Sequence, residues 1–266
     1  MRILTVFTLS TAVALSACSS STMNSATGVD RKQFMMVSSE QVNQAAAQSY
    51  QETLVKARQQ GVLNPNAAQL QRVQRIANRL IPQVNVYRPD ARSWKWEVNM
   101  LKSNELNAYC APGGKIMFYT GIIDRLNLTD DEIAAIMGHE MAHALREHGR
   151  ERASRSGATQ LGLSVLASAV GLTEGQTQLA GMATQLGLEL PFSRGQESEA
   201  DSLGLELMAR AGYNPNAAVT LWNKMAAASK GEPPQFLSTH PGSQTRIHNL
   251  QALIPKVMPL YQQNRR

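Results

Sequence analysis

His139 and His143 stand four residues apart, and Glu140 follows the first of them directly. On a helix, residues at this spacing lie one turn apart and project from one face, as two ligands of one ion must. Neutral imidazole nitrogens suit zinc at ~2.0–2.1 Å. Glu140 is too close in sequence to His139 to join the same ligand set, but it can reach a water at the ion. Zinc lowers the pKa of such a water to about 7. Glu140 would then take the proton and later deliver it to the leaving amine of a broken peptide bond. The pattern H-E-x-x-H fixes only three of five positions, so an ordinary helix carrying two histidines also satisfies it. A third ligand has to decide.

One source of that ligand is excluded at once. Arg146 stands where the metzincin pattern needs glycine, and Gly149 where it needs a third histidine. A downstream carboxylate is the other solution. In the stretch Ser193 to Asp201, Ser193 and Gln196 are spaced as a capping box, so Glu197 falls in the first turn of a helix. Asp201 follows one turn later on the same face. Glu197 could bind the ion while Asp201 accepts the outer N–H of a ligand histidine. Taken alone, the stretch reads equally as an acidic helix start that suits the dipole. Glu199 is expected to point away into solvent. His148 lies off the ligand face of a continuous helix and is expected at the surface or as a partner of the helix's C-terminal dipole. His248 is expected to be structural or exposed, and Cys110 to be a small buried apolar residue rather than a nucleophile.

The elements that must hold these residues are mostly helices. Thr129 and Glu132 form a capping box that starts the H-E-x-x-H helix, over about 129–149. Ile133, Ile136, Met137 and Ala144 give it a buried stripe. Before it, helices are expected over 38–60 and from an Asn64 cap and Pro65 to Pro82. Alternation at Trp94, Trp96, Val98 and Met100 predicts a strand. Two more extended stretches, 106–110 and 115–120, flank the turn at Pro112-Gly113-Gly114. After the motif, helices are expected over 158–170, 176–188, 193–211, 215–229 and 243–253. The fold class is therefore α+β and mostly helical, with a small sheet or hairpin before the metal-site helix. The glycine-bearing segment 150–190 is read as a lid over the cleft.

The chain has 266 residues, enough for one well-packed domain, and its net charge of +6 is scattered without aromatic-interleaved basic clusters. No nucleic-acid surface is expected. The first residues read as a targeting segment. A basic Met1-Arg2 precedes a short apolar run that ends in Leu15-Ser16-Ala17-Cys18. This order resembles a bacterial lipobox, in which Cys18 is acylated. Residues 1–17 are then a signal peptide, 18–37 a lipidated cysteine with a flexible tether, and 38–266 the catalytic domain. Ser19, rather than Asp, directs the lipoprotein to the outer membrane by the same resemblance.

Three ordered motifs carry a further resemblance: His139-Glu140-x-x-His143, Glu197-x-x-Ala200-Asp201, and Thr239-His240-Pro241 with Arg246-Ile247. Together with Asn107-Ala-x-x-x-Pro-Gly-Gly, they are similar to the zinc metallopeptidase family of HtpX and the CAAX prenyl proteases, in its soluble periplasmic lipoprotein branch. The resemblance implies a gluzincin-like domain with one zinc ion per chain and endopeptidase activity. It makes Glu197 the third ligand, beside His139 and His143, with Glu140 as base. It puts His240 and Arg246 near the reacting carbonyl as oxyanion stabilisers, and it also allows His240 to cap the zinc and hold the enzyme latent. Asn107, Gly113, Gly114 and Tyr119 mark a hairpin whose edge binds extended substrate. The expected partners are unfolded or misassembled envelope proteins and the outer membrane, reached through the anchor at Cys18. A chaperone-like assembly factor that binds such clients and rarely cleaves them is the alternative.

Overall fold

A computed structural model describes residues 18–22, 25–169, 192–228, 235–241 and 244–265. The signal-peptide residues, the helix expected over 176–188 and the distal half of the expected lid lie outside these residues.

Local chemistry places the helix starts. Ser38 caps α1 (Ser39–Gln59) through a capping box with Gln41. Asn66 caps α2 (Ala67–Leu80), two residues beyond the expected Asn64. Asn64 is diverted: its backbone is left-handed at φ 49°, and its side-chain oxygen accepts from the Met100 N–H at 2.7 Å. After a pair of short 3-10 turns come β3 (Glu97–Leu101), β4 (Ala108–Ala111) and β5 (Lys115–Tyr119). Trp94 and Trp96 precede the first of these strands, stacked on each other at 5.5 Å between ring centroids. The sheet order is β3-β5-β4, with β3 parallel and β4 antiparallel to the central β5. The hairpin turn has Gly113 and Gly114 at positive φ, and a Cβ on Gly114 would meet the Trp96 ring at 2.7 Å.

The short helix α3 (Thr120–Arg125) leads to α4 (Asp130–Leu145), which carries the motif. Every residue of α4 from Glu132 to Leu145 is buried, not one stripe alone. The reason is position: α4 packs on α2 and β4, on α6 (Arg194–Arg210) and on α7 (Asn216–Ala228). Its cap glutamate, Glu132, also reaches Lys224 at 2.7 Å and Thr220 at 2.9 Å, tying the helix start to α7. α4 stops at Leu145, earlier than expected, because Glu147 adopts φ 50°. α5 (His148–Ala169) then leaves in a new direction. After α8 (Gln235–Thr239), α9 (Gln244–Asn264) runs through Pro255 and Pro259, beyond the expected stop near residue 253, and packs on α6 and α7.

Two glycines set the α4–α6 distance. A Cβ on Gly204 would meet the His139 backbone nitrogen at 2.7 Å, and one on Gly138 would meet the Gly204 carbonyl at 2.7 Å. The two backbones therefore touch, which brings the Glu197 turn of α6 alongside the histidines of α4. Gly204→Ala is expected to destabilise the fold by about 1–3 kcal/mol, as overpacking does, and to loosen zinc. Thermal melting checks this; an unchanged melting point would show that the helices can part freely.

The segment read as a flexible tether is instead a strap laid on the domain. β1 (Cys18–Ser19) pairs antiparallel with β2 (Gln33–Phe34), with Cys18 opposite Phe34. Thr27 N–H and Ser25 Oγ donate to the buried Glu206 carboxylate at 3.2 and 3.1 Å. The fully buried Gln33 amide donates to the Arg146 carbonyl at 2.6 Å. Polar composition predicted a free chain, but these polar groups have specific partners on α4, α5 and α6.

Candidate metal centre

α4 presents His139 and His143 on one face, and α6 brings Glu197 and Asp201 against them. His139 Nε2 and His143 Nε2 lie 3.1 Å apart. Glu197 Oε2 is 3.6 Å from His139 Nε2, and its Oε1 is 3.4 Å from His143 Nε2. These three ligand atoms, with one from His240, all lie within 4.8 Å of one another, and all four residues are buried. Ligands held at ~2.0–2.1 Å around a tetrahedral zinc are about 3.3–3.4 Å apart. The observed triangle spans that value, so His139, His143 and Glu197 fit one zinc ion.

Electrostatics lead to the same conclusion. Burial alone would raise the Glu197 carboxyl, but the adjacent His139 and His143 outweigh it and hold the group far below the usual carboxylate range. Burial likewise disfavours a charged His139, yet Asp201 and Glu197 push it up to about 9. His143 is driven well down by burial and by the charge on its neighbours. The cluster therefore calls for one positive charge among its donors. A proton on His139 supplies it when no cation is bound; a divalent cation would supply it at the centre. Glu140 Oε1, Glu197 Oε1 and His240 Nε2 are buried there without a hydrogen-bond partner among the described residues.

Asp201 lies beside His139, and Arg246 sits against the two carboxylates. Asp201 Oδ1 sits 3.1 Å from His139 Nδ1, on the side of the ring away from the cluster. Arg246 donates to both Asp201 oxygens at 2.6 Å, lies 2.5 Å from Glu197 Oε2 and covers the Trp222 ring at 3.9 Å. It was expected at the reacting carbonyl. Instead it neutralises and aims the two carboxylates, and its Nη1 also donates to the Pro241 carbonyl at 3.1 Å. His240 does reach the centre. Its Nε2 is 3.5 Å from Glu140 Oε1, its Nδ1 pairs with Thr239 Oγ1 at 2.9 Å, and its ring stacks on Phe236. Burial, followed by the His139 charge, pushes it down to about 3, so it is neutral.

A cleft of about 310 Å³ opens over Glu140, His143 and His240, with one wall made of Asn107 to Pro112. β4 is thus the edge strand facing the site. Asn107 lines the cleft, as expected. Gly113, Gly114 and Tyr119 are not among its lining residues: the glycines form the distal turn, and Tyr119 ends the central strand. Burial raises the Glu140 carboxyl, and the Cys110 backbone beside it offsets a little of that rise. The Cys110 thiol is buried and raised well above its ordinary pKa by that burial, which suits packing and not nucleophilic attack.

Two residues placed at the surface by the sequence are inside. His148 is fully buried, and its Nδ1 lies 2.9 Å from His143 Nδ1. Glu199 accepts from Arg146 and from Arg31 and lies 3.0 Å from His148 Nε2. Only the helix break at Glu147 makes this possible, and glutamate gives no warning of a left-handed residue. His248 is exposed, within the range expected for it.

Comparison with known proteins agrees with this geometry. Residues 67–254 match the model of peptidase family M48. The mitochondrial metalloendopeptidase OMA1 of Schizosaccharomyces pombe is 37% identical over 164 residues, 61% of this chain and 48% of that protein. Metalloprotease LoiP of Escherichia coli is 28% identical over 247 residues, 91% of this chain and 92% of that protein. The β-barrel assembly-enhancing protease of Yersinia pestis is 26% identical over 187 residues, 66% of this chain and 37% of that protein. The chain spans about half the length of the OMA1 proteins of the two yeasts. The matched span contains all three motifs, the sheet beside them and the helices that carry them, and its buried His/Glu cluster could hold a metal ion, so the chain belongs to peptidase family M48.

Proposed function

We propose that the chain is a zinc-dependent endopeptidase that cuts unfolded or misassembled envelope proteins at the periplasmic face of an outer membrane, held there by acyl chains on Cys18. One observation carries the reading: the Glu140 carboxylate is buried beside the metal donors at the floor of a cleft whose wall is an edge strand. An edge strand can pair only with an extended backbone, which folded proteins rarely offer. That selects unfolded segments without requiring a particular side chain. Zinc, when bound by His139, His143 and Glu197, supplies Lewis acidity toward a carbonyl and a water. The chain's own groups do the rest. Burial pushes Glu140 up to about 8, and a cation alongside would lower it again. Its proton uptake and release then fall near neutral pH, as general acid–base work needs. β4 aligns the substrate backbone beside Glu140.

The envelope setting is supported by the Leu15-Ser16-Ala17-Cys18 sequence and by the relative named for β-barrel assembly. Among the described residues no helix is long and apolar enough to cross a membrane. The test uses full-length protein and casein. Cleavage is expected to stop with a chelator and return with zinc, and Cys18→Ala is expected to move the protein out of the membrane fraction. Chelator-resistant cleavage would overturn the activity; membrane retention of the variant would overturn the anchor.

A second reading has its own observation, the fourth donor atom at His240. If that ring closes the site, the protein is a client-binding factor that rarely cuts. His240→Ala is then expected to raise casein turnover roughly tenfold or more. If His240 stabilises the oxyanion, the same variant is expected to lose about 10²–10³-fold in kcat. The direction of the change separates the two.

A further inference from the structure

We infer that His148 and Glu199 are positioning residues for the metal ligand His143, linked to it in one fixed order of hydrogen bonds and locked from behind by the N-terminal strap. The inference rests on the reading of His143 as a zinc ligand.

The order follows from donor and acceptor counting. His143 points Nε2 at Glu197 and His139, so that nitrogen must be bare to bind a cation. Its hydrogen is then on Nδ1, 2.9 Å from His148 Nδ1. His148 Nδ1 must accept, which leaves the His148 hydrogen on Nε2. That N–H donates to Glu199 Oε2 at 3.0 Å. Each atom has one role, and reversing any one of them breaks the chain. His139 meets Asp201 directly; His143 meets its carboxylate through an intervening imidazole.

The backbone is shaped for this. On a continuous helix, residue 148 would sit about 140° around from residue 143. The left-handed Glu147 ends α4 and turns His148 back under the His143 ring. Arg146, with no exposed surface, holds Glu199 through Nε and Nη2 at 3.1 and 3.0 Å. Arg146 in turn donates to Ser20 Oγ at 3.0 Å, Thr22 Oγ1 at 3.1 Å and the Arg31 carbonyl at 2.9 Å. Arg31 adds an ion pair to Glu199 and two hydrogen bonds to Glu151, at 2.7 and 2.8 Å. The strap therefore closes the rear of the metal site.

The test measures zinc affinity by chelator competition and the His143 tautomer by ¹⁵N NMR, in full-length protein. His148→Phe keeps the ring volume and removes the acceptor. It is expected to weaken zinc binding 10–100-fold, the usual cost of losing a partner behind a ligand, and to release His143 Nδ1 from its single tautomer. His148→Gln, whose amide can accept and donate, is expected to recover part of that loss. Glu199→Gln is expected to weaken binding roughly tenfold and serves if the Phe variant does not fold. Zinc affinity and tautomer unchanged in the folded Phe variant, or in Glu199→Gln, would overturn the inference while leaving the metal centre intact. Wild-type protein that takes up no zinc would instead overturn the metal-centre reading itself.

Discussion

Glu140→Gln is expected to bind one zinc per chain as the wild type does and to cleave casein about 10²–10⁴-fold more slowly, the range that a positioned general base contributes. The substitution is close to isosteric. The amide fills the same space beside Cys110, so the wall of the cleft should not move. Glu140 is not among the four donors that cluster around the candidate ion, so metal content should hold. What is lost is the capacity to take a proton at Oε1, the atom left without a partner beside His240. Since burial already disfavours the charged carboxylate, a neutral amide should not lower the melting temperature. Elemental analysis, a melt and a casein assay on the same preparation read all three. Turnover within a few-fold of wild type would remove Glu140 from the role of base.

Arg246→Met is expected to cost about 3–5 kcal/mol in the metal-free protein, the range for removing one partner of a buried ion pair. For a domain of this size that is a fall in melting temperature of roughly 6–20 °C. The cause is specific: Arg246 is the cation set against both Asp201 and Glu197. Without it, two buried carboxylates share the positive charge that His139 can carry. Methionine keeps the contact with Trp222 but not the charge. Zinc should restore much of the loss, because a divalent cation meets the Glu197 charge directly. The gap between zinc-free and zinc-loaded melting points should therefore widen in the variant. Equal falls in both forms would mean that Arg246 serves packing alone.

Local signals made the centre readable in the sequence. Two capping boxes, at Thr129 and Ser193, need only residues three apart, and both formed. They fixed the phase of α4 and α6, and with it the faces that carry the two histidines and the two carboxylates. What failed depended on distant partners. Asn64 and Asn66 flank Pro65 with equal claims to cap a helix, and Met100 across the fold decides between them. His148 looked exposed because a helix was extended through Glu147. Glu199 looked solvated because Arg31 and Arg146 approach it from segments 168 and 53 residues away. The Gly138–Gly204 contact left no trace beyond two glycines in helical sequence.

The strap also governs how far the cleft can roam. Sixteen free residues after Cys18 could stretch to about 53–58 Å and let the domain sweep a wide shell around its point of attachment. Pairing Cys18 with Phe34 removes nearly all that slack. If lipid is attached at Cys18, the body rides almost flush with the bilayer, and only chains emerging at the membrane surface come within its bite. Client choice would then be governed as much by altitude as by sequence.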